Sequence, residues 1–336
     1  MESKKMKIGQ ADESICDFFL SIGPNCRPAF NLRSNHLREF SSPLDWTGAY
    51  SLDTVLHLFR EKFNDFFTEY EIDRENPKGA PGKLRVWDTK NHIRTIHHIP
   101  ENMWLNSSYP QFIEKMNTRA ARLEARLQSA SSIILVSGRT ESKDDLSTFL
   151  RSFSDIYPHL KIKLINMRND EEMPYDDFRQ EVILDDGILS YVEYILNDTE
   201  QGVEMAAGNT FVWSKILSKY YTPGLDAIRN EWLQFRKNSE QVIIFGAGRR
   251  CVCILNWLSK IGMTIDGIAV SSMTDNPEEI NRIKVRMYSS YSKDASIIVS
   301  IEEKERAKKI KSKLQNQGYK NITFVDSNLK LINADE

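Results

Sequence analysis

The sequence predicts an α/β protein in two parts. An N-terminal α/β domain with a mixed sheet spans residues 1–237, and a small doubly wound, Rossmann-like parallel-sheet domain spans 238–336. Three observations carry this. Short apolar runs at residues 133–137, 162–166, 242–245 and 296–300 have the near-continuous hydrophobicity of strands buried on both faces. Amphipathic helical patterns separate them. A glycine turn, Gly246-Ala247-Gly248, joins one such strand to a helix.

The chain has 336 residues, enough for about two cores. Its formal net charge is −2, which argues against nucleic-acid binding through bulk positive charge. No run approaches the roughly 20 apolar residues of a bilayer span. The lysine-containing N-terminus lacks the apolar stretch of a secretory signal. Four cysteines, Cys16, Cys26, Cys251 and Cys253, form neither a disulfide framework nor paired metal knuckles. The expectation is a soluble cytoplasmic protein with reduced thiols, no membrane span, no metal and no required cofactor.

In chain order, residues 1–14 are polar and read as loose. Residues 15–22 form a strand. The Gly23-Pro24-Asn25 turn places Cys26 at a helix start, with Ala29, Phe30, Leu32 and Leu37 as the helical pattern. After Pro43-Leu44-Asp45-Trp46, Ser51 caps a helix whose stripe is Leu52, Val55, Leu56 and Phe59. Phe63, Phe66 and Phe67 extend it as an aromatic cluster. Residues 71–83 read as a surface loop. Residues 84–88 and 92–98 form a hairpin. A long helix covers 109–129, with Phe112, Met116, Leu123 and Leu127 on one side. Residues 131–167 read as strand–helix–strand, which is right-handed by default. Residues 192–196 form a further strand, and 209–235 two helices broken at Thr222-Pro223-Gly224. The C-terminal domain then runs strand, glycine turn, helix 249–261, strand 264–270, strand 296–300, helix 303–317 ending at Gly318, and strand 321–325.

Cys26 is the chemical candidate of the first domain. A thiol at a strand-to-helix turn lies beside backbone N–H groups and the positive end of a helix dipole, and both favour the reactive thiolate. The competing reading is a small buried hydrophobe. A nucleophilic thiol needs a base and a group to orient it. His97 and His98 adjoin on a strand, so they point to opposite faces and one of them can face Cys26. His36, His57, His92 and His159 read as ordinary surface or core. Asp45, Asp88, Glu141 and Asn166 are the candidate orienters. Asp45 reads equally as a turn carboxylate, Asp88 as the hairpin closure, and Glu141 as a first-turn acid. Backbone N–H groups at the helix start would hold the oxyanion. If the first-domain sheet is parallel, Arg27, Arg139 and Arg168 become natural contacts for a phosphate or carboxylate.

In the second domain, Gly246, Gly248 and Arg249 stand where a dinucleotide phosphate would meet a helix start. The fingerprint is incomplete. Cys251 takes the third glycine position, and Asp266 falls inside the second strand rather than at its end. A nucleotide or sugar nucleotide is the ligand class that such a turn suits.

Two resemblances extend these readings. Residues 21–29 (SIGPNCRPA), Leu32-Arg33, Leu37-Arg38, Ser42-Pro43-Leu44-Asp45-Trp46 and Ile96-His97-His98 resemble a bacterial family of papain-like cysteine peptidases over about residues 15–200. The resemblance implies a thiol nucleophile at Cys26 and a histidine base, and its histidine motif favours His97. Papain-like folds place the cysteine on a helix packed against an antiparallel sheet that carries the histidine. Hairpin 84–98 fits that description, and the strand–helix–strand run does not. The segment VIIFGAGRRCVCILNWLSKIGMTIDGIAVSS resembles the small Rossmann-like modules of bacterial capsule and cell-surface glycan enzymes. The leading expectation is therefore a cysteine hydrolase or transferase acting on a peptide. The alternative is a surface-polysaccharide protein that binds or transfers a sugar nucleotide, a glycan-related small molecule, with Cys26 structural.

Overall fold

The computed structural model describes residues 15–102, 105–199, 207–301, 304–325 and 329–333. The expectation for residues 1–14 lies outside them. The chain divides into two compact units, residues 1–222 and 223–336. The second unit thus begins at Pro223 and takes the helix ahead of Asn238, where the sequence pattern sets the start.

The first unit opens with β1 (Phe18–Ser21), α1 (Arg27–Ser34), β2 (Thr47–Gly48), α2 (Leu52–Arg60), β3 (Tyr70–Ile72), β4 (Lys83–Asp88), β5 (Ile93–Pro100) and α3 (Leu105–Ser129). It continues with β6 (Ser132–Ser137), α4 (Lys143–Ile156), β7 (Lys161–Asn169), β8 (Phe178–Asp185), β9 (Leu189–Leu196) and α5 (Thr210–Leu217). Two sheets result. The larger has the order β1-β6-β7-β9-β8, parallel except for β8, which pairs antiparallel with β9. The smaller, β2-β5-β4-β3, is antiparallel.

In the larger sheet, parallel β6 and β7 stand where the apolar runs predict strands. Its antiparallel edge β8 escaped the sequence reading because it is polar and half-exposed, with Val182 61 % exposed. The helices follow from their caps and stripes. Ser51 Oγ accepts from Thr54 N at the start of α2. Ser142 and Asp145 form a capping box on α4, whose Leu146, Phe149, Leu150 and Phe153 are buried. Phe59 centres the aromatic cluster, edge-on to Phe63 and Phe153 at 5.2 and 5.0 Å. These contacts join α2 to α4 in one core.

The loop after β3 does more than cover a surface. Gly79 N donates to Lys83 O and Ala80 N to Ile96 O. A Cβ on Gly79 would fall 2.5 Å from Ile96 O, so only glycine lets this loop close on β5.

The second unit contains α6 (Pro223–Lys237), β10 (Val242–Phe245), α7 (Arg249–Lys260), β11 (Gly267–Val270), β12 (Glu279–Ile280), β13 (Ile283–Met287), β14 (Ser296–Val299), α8 (Lys304–Asn316), β15 (Ile322–Val325) and β16 (Leu331–Asn333). Its sheet order is β12-β13-β11-β10-β14-β15-β16. The five inner strands are parallel, and the short edges β12 and β16 pair antiparallel. Strand β10 is central, with the chain winding outward first through β11 and β13 and then through β14 and β15. The crossover from β11 to β13 carries no helix, and β12 and β13 fall between strands 264–270 and 296–300, where the sequence pattern sets no element.

Candidate functional site

The site begins at the end of β1. Gly23 takes a φ of +73°, and a Cβ there would overlap the Tyr50 hydroxyl. This close approach seats the Tyr50 ring under the turn. Cys26 follows as the N-cap of α1, half-buried. Asn25 Oδ1 accepts from Arg27 N at 3.0 Å, and Pro28 in the first turn has no N–H. The expected oxyanion hole at the helix start therefore cannot use Arg27 or Pro28. The bond to a backbone donor does fix the Asn25 amide: its oxygen faces Arg27 N, so its Nδ2 is turned away as a donor.

Opposite this turn stands β5. Ladder partners Leu84–Ile99 and Val86–Thr95 leave Arg85 alone facing three residues, 96–98. This bulge interrupts the ladder at the two histidines, and bulges re-aim side chains in this way. His97 lines a small cavity of about 50 Å³ together with Asn25, Cys26, Trp46, Thr47, Gly48, Arg94 and Ile96. Its ring meets Trp46 edge-on, 5.6 Å between centroids. His98 turns instead to α3 and lies 5.4 Å from the Phe112 ring. Of the two candidate histidines, the structure brings His97 to Cys26.

Burial lowers the pKa of His97, favouring the neutral ring near pH 7. Its Nε2 is buried without a hydrogen-bond partner among the described residues. Trp46 is held in turn by the guanidinium groups of Arg33 and Arg38, 5.3 and 5.5 Å from its ring.

The candidate orienters are committed elsewhere. Asp45 is buried, its oxygens accepting from Arg38 Nη1, Ser42 N and Ser42 Oγ at 2.9–3.1 Å. Burial pushes its carboxyl up, against the pull of Arg38 and Ser42. It acts as the staple of the Pro-Leu-Asp-Trp loop, and its neighbour Trp46 is the residue that touches His97. Asp88 closes the hairpin through Phe67 N and Asn91 N. Glu141 Oε1 accepts from Arg139 Nη1 at 2.6 Å. Asn166 Oδ1 accepts from Ser137 Oγ and Arg139 N, and its Nδ2 donates to Arg139 O and Glu193 Oε1.

The arginines expected to meet an anion at the parallel sheet are also occupied. Arg27 pairs with Asp198 at 2.8 Å, and Arg168 with buried Glu193 at 2.6 Å. Arg139, 1 % exposed, donates to Ile22 O and Tyr50 O. It ties the end of β1 to the segment below the Cys26 turn, a positioning task rather than a ligand contact.

In the second unit, Gly246 has a φ of +109° at the end of β10, and Gly248 caps α7 with open space beside it. The Arg249 side chain lies outside the described residues. Ser300 Oγ donates to Phe245 O at 3.0 Å and crowds the Cβ position of Gly246. Asp266 precedes β11, accepts from Val242 N and pairs with Arg236. It stands at the opposite end of the strand from a ribose-binding acid.

Among the described residues there is no group of three or more His, Cys, Asp or Glu side chains arranged for a metal ion, and no helix long and apolar enough to cross a membrane. The sequence reading missed Asn25, Trp46, Thr47, Gly48, Arg94 and Ile96 as lining residues. Asn25, Trp46 and Ile96 were within its motifs and Arg94 within its second hairpin strand, whereas Thr47 and Gly48 carry no chemical signal of their own.

Fold and site together define a mixed α/β protein with a cysteine and a histidine at one small cavity. Residues 17–169 match the model of a family described as "Putative papain-like cysteine peptidase (DUF1796)", a stretch that holds both side chains. An uncharacterized protein of Acanthamoeba polyphaga mimivirus is 26% identical over 82 residues, 24% of this chain and 37% of that protein. The chain thus covers little more than a third of that relative's length. No solved structure matches.

Proposed function

We propose that the first unit is a cysteine-dependent hydrolase acting on an acyl group of a peptide-like substrate, with Cys26 as nucleophile and His97 as general base. The observation that carries this is the shared cavity of Cys26 and His97. In this reading the Cys26 thiol gives its proton to neutral His97, and Sγ attacks the carbonyl carbon. The C–N bond breaks, and the leaving amine takes the proton from His97. Water then attacks the thioester, His97 accepts its proton, and the thiol is restored as the acid departs. Asn25 Nδ2 is the oxyanion donor, standing in for the occupied Arg27 N–H. Trp46 holds the imidazole in place of a carboxylate, so the site is a dyad. For the second unit we propose a Rossmann-like module, supported by central β10 and the glycine turn that follows it.

Alkylation by iodoacetamide tests the first proposal, with Cys253 as a half-buried internal control. Cys26 is expected to react about tenfold faster than Cys253 at pH 7, and His97→Ala to remove the difference. Equal rates for the two cysteines in the parent protein would sink the assignment.

A further inference from the structure

Behind the Cys26 cavity, on the side of β5 that faces α3, basic side chains gather, and among the described residues none of them is in an ion pair with a carboxylate. His98 contributes from β5 and Lys83 from the start of β4. Phe112, Lys115 and Arg119 share one face of α3 at positions i, i+3 and i+7. Two nitrogens in this group, His98 Nε2 and Arg119 Nη1, are buried and have no hydrogen-bond partner among the described residues. Arg119 is only 9 % exposed. Buried polar nitrogens are almost always bonded, and a buried guanidinium is normally paired.

These basic groups also act on one another. Burial lowers the pKa of His98 to about 3, and Arg119, Lys115, His97 and Lys83 all add to the cost of charging it. Lys115 is lowered by burial and then by Arg119 and Lys83. Burial lowers Arg119 too, with Arg38 and Arg122 acting in the same direction. The carboxylate that opposes them at Arg119 is Asp45, whose oxygens already accept from Arg38 and Ser42. Arg122 donates to Ser41 O and lies over Phe40.

We propose that this cluster is a binding site for a doubly charged oxyanion of the phosphate or sulfate type, held by His98, Arg119, Lys115 and Lys83. A tetrahedral dianion fits better than a carboxylate for two reasons. Three basic side chains, Lys83, Lys115 and Arg119, bring positive charge to the site, and a single negative charge leaves most of their repulsion in place. The unpaired nitrogens also come from different elements, which a tetrahedral acceptor can reach in several directions at once. The site is independent of the Cys26 chemistry, although His98 adjoins His97 in the bulge.

The test uses the full chain, with sulfate as the probe because its charge is constant between pH 5 and 8. The His98 ring is followed by NMR, and binding by calorimetry, with acetate and chloride at matched ionic strength as controls. Sulfate is expected to shift the His98 resonance saturably and to raise its apparent pKa by about one unit or more. Lys115→Gln, an exposed position, should weaken sulfate about tenfold, and Arg119→Gln should abolish the response. If Arg119→Gln does not fold, the Lys115→Gln result decides. Inorganic phosphate and phenyl phosphate run alongside: binding of phosphate alone identifies a free ion, and binding of both a phosphoryl group on a larger molecule. The proposal is overturned if sulfate leaves His98 unmoved, if acetate or chloride moves it as far, or if Lys115→Gln binds sulfate as tightly as the parent.

Discussion

His98 makes the first unit sensitive to mild acid, and the size of the effect follows from its surroundings. In the unfolded chain its pKa is near the ordinary 6.5; in the folded unit burial and the neighbouring cations hold it at about 3. The folded value is the lower of the two, so the unfolded state binds more protons between them. Stability from this group is therefore complete above pH 6.5 and is lost as pH falls toward 3. At pH 5 the loss amounts to about 2 kcal/mol, from roughly 1.4 kcal/mol per pH unit below 6.5. For a unit of this size that corresponds to roughly 4–8 °C in Tm.

The perturbation that isolates the effect is His98→Phe, which keeps a ring against Phe112 and removes the basic nitrogen. Urea unfolding of parent and variant in dilute chloride buffer at pH 8 and pH 5 gives four free energies. Their double difference cancels every group the two proteins share. The variant should gain about 2 kcal/mol on the parent between pH 8 and pH 5, and sulfate should recover part of the parent's loss. A double difference near zero would refute the burial of a neutral His98 and remove one support of the oxyanion site with it.

Other outcomes follow from single contacts. Gly23→Ala should cost about 2 kcal/mol or more in urea, because both the positive φ and the Tyr50 hydroxyl oppose a methyl group there. Adding Tyr50→Ala relieves only the steric part, so the second change should cost less in the Gly23→Ala background than in the parent. Phe59→Ala removes the ring that joins α2 to α4, and should lower stability by about 3–5 kcal/mol. Asp45→Asn should cost about 1–3 kcal/mol in thermal or urea unfolding yet leave Cys26 alkylation within about twofold of the parent. A collapse of that rate to the His97→Ala level would restore Asp45 as the orienter. Because burial lowers the His97 pKa, the acid limb of kcat/KM against a peptide ester should fall below pH 6.5, where free imidazole would already be half protonated.

The parallel core of each unit was legible because its strands are apolar on both faces, as residues 133–136 and 242–245 show. Strand β8 was not, since an edge strand with alternating exposed residues resembles a polar loop. The turn around Cys26 was legible from glycine, proline and the helix pattern. The facing histidine was legible only to within two residues. Strict alternation separates His97 from His98 but does not say which faces the cysteine, and the bulge opposite Arg85 is invisible in the residues of β5 alone. Asp45 stands out in the sequence because carboxylates carry chemistry. In the folded chain it staples a loop, and the less conspicuous Trp46 beside it meets the histidine.

These placements bear on what a papain-like resemblance can mean here. A cysteine at a helix start and a histidine on an antiparallel sheet are both present, on α1 and β5. The strand that leads into the cysteine, however, belongs to a different, mostly parallel sheet, paired with β6. The two sheets must be held in register for Cys26 and His97 to share a cavity, and the residues that do this are not themselves reactive. Arg139, from the end of β6, reaches Ile22 O beneath the turn and Tyr50 O just beyond β2. Tyr50 in turn lies against Gly23. Truncating Arg139 would leave two buried carbonyl oxygens without a donor, a penalty of about 1–3 kcal/mol each. It would also loosen the join between the sheets. Arg139→Met should therefore slow Cys26 alkylation through lost positioning, whereas Arg168→Met, on the far side of the same polar network, should lower stability and leave the thiol rate unchanged. Equal effects of the two substitutions on that rate would show that the parallel sheet merely carries the cysteine and does not aim it.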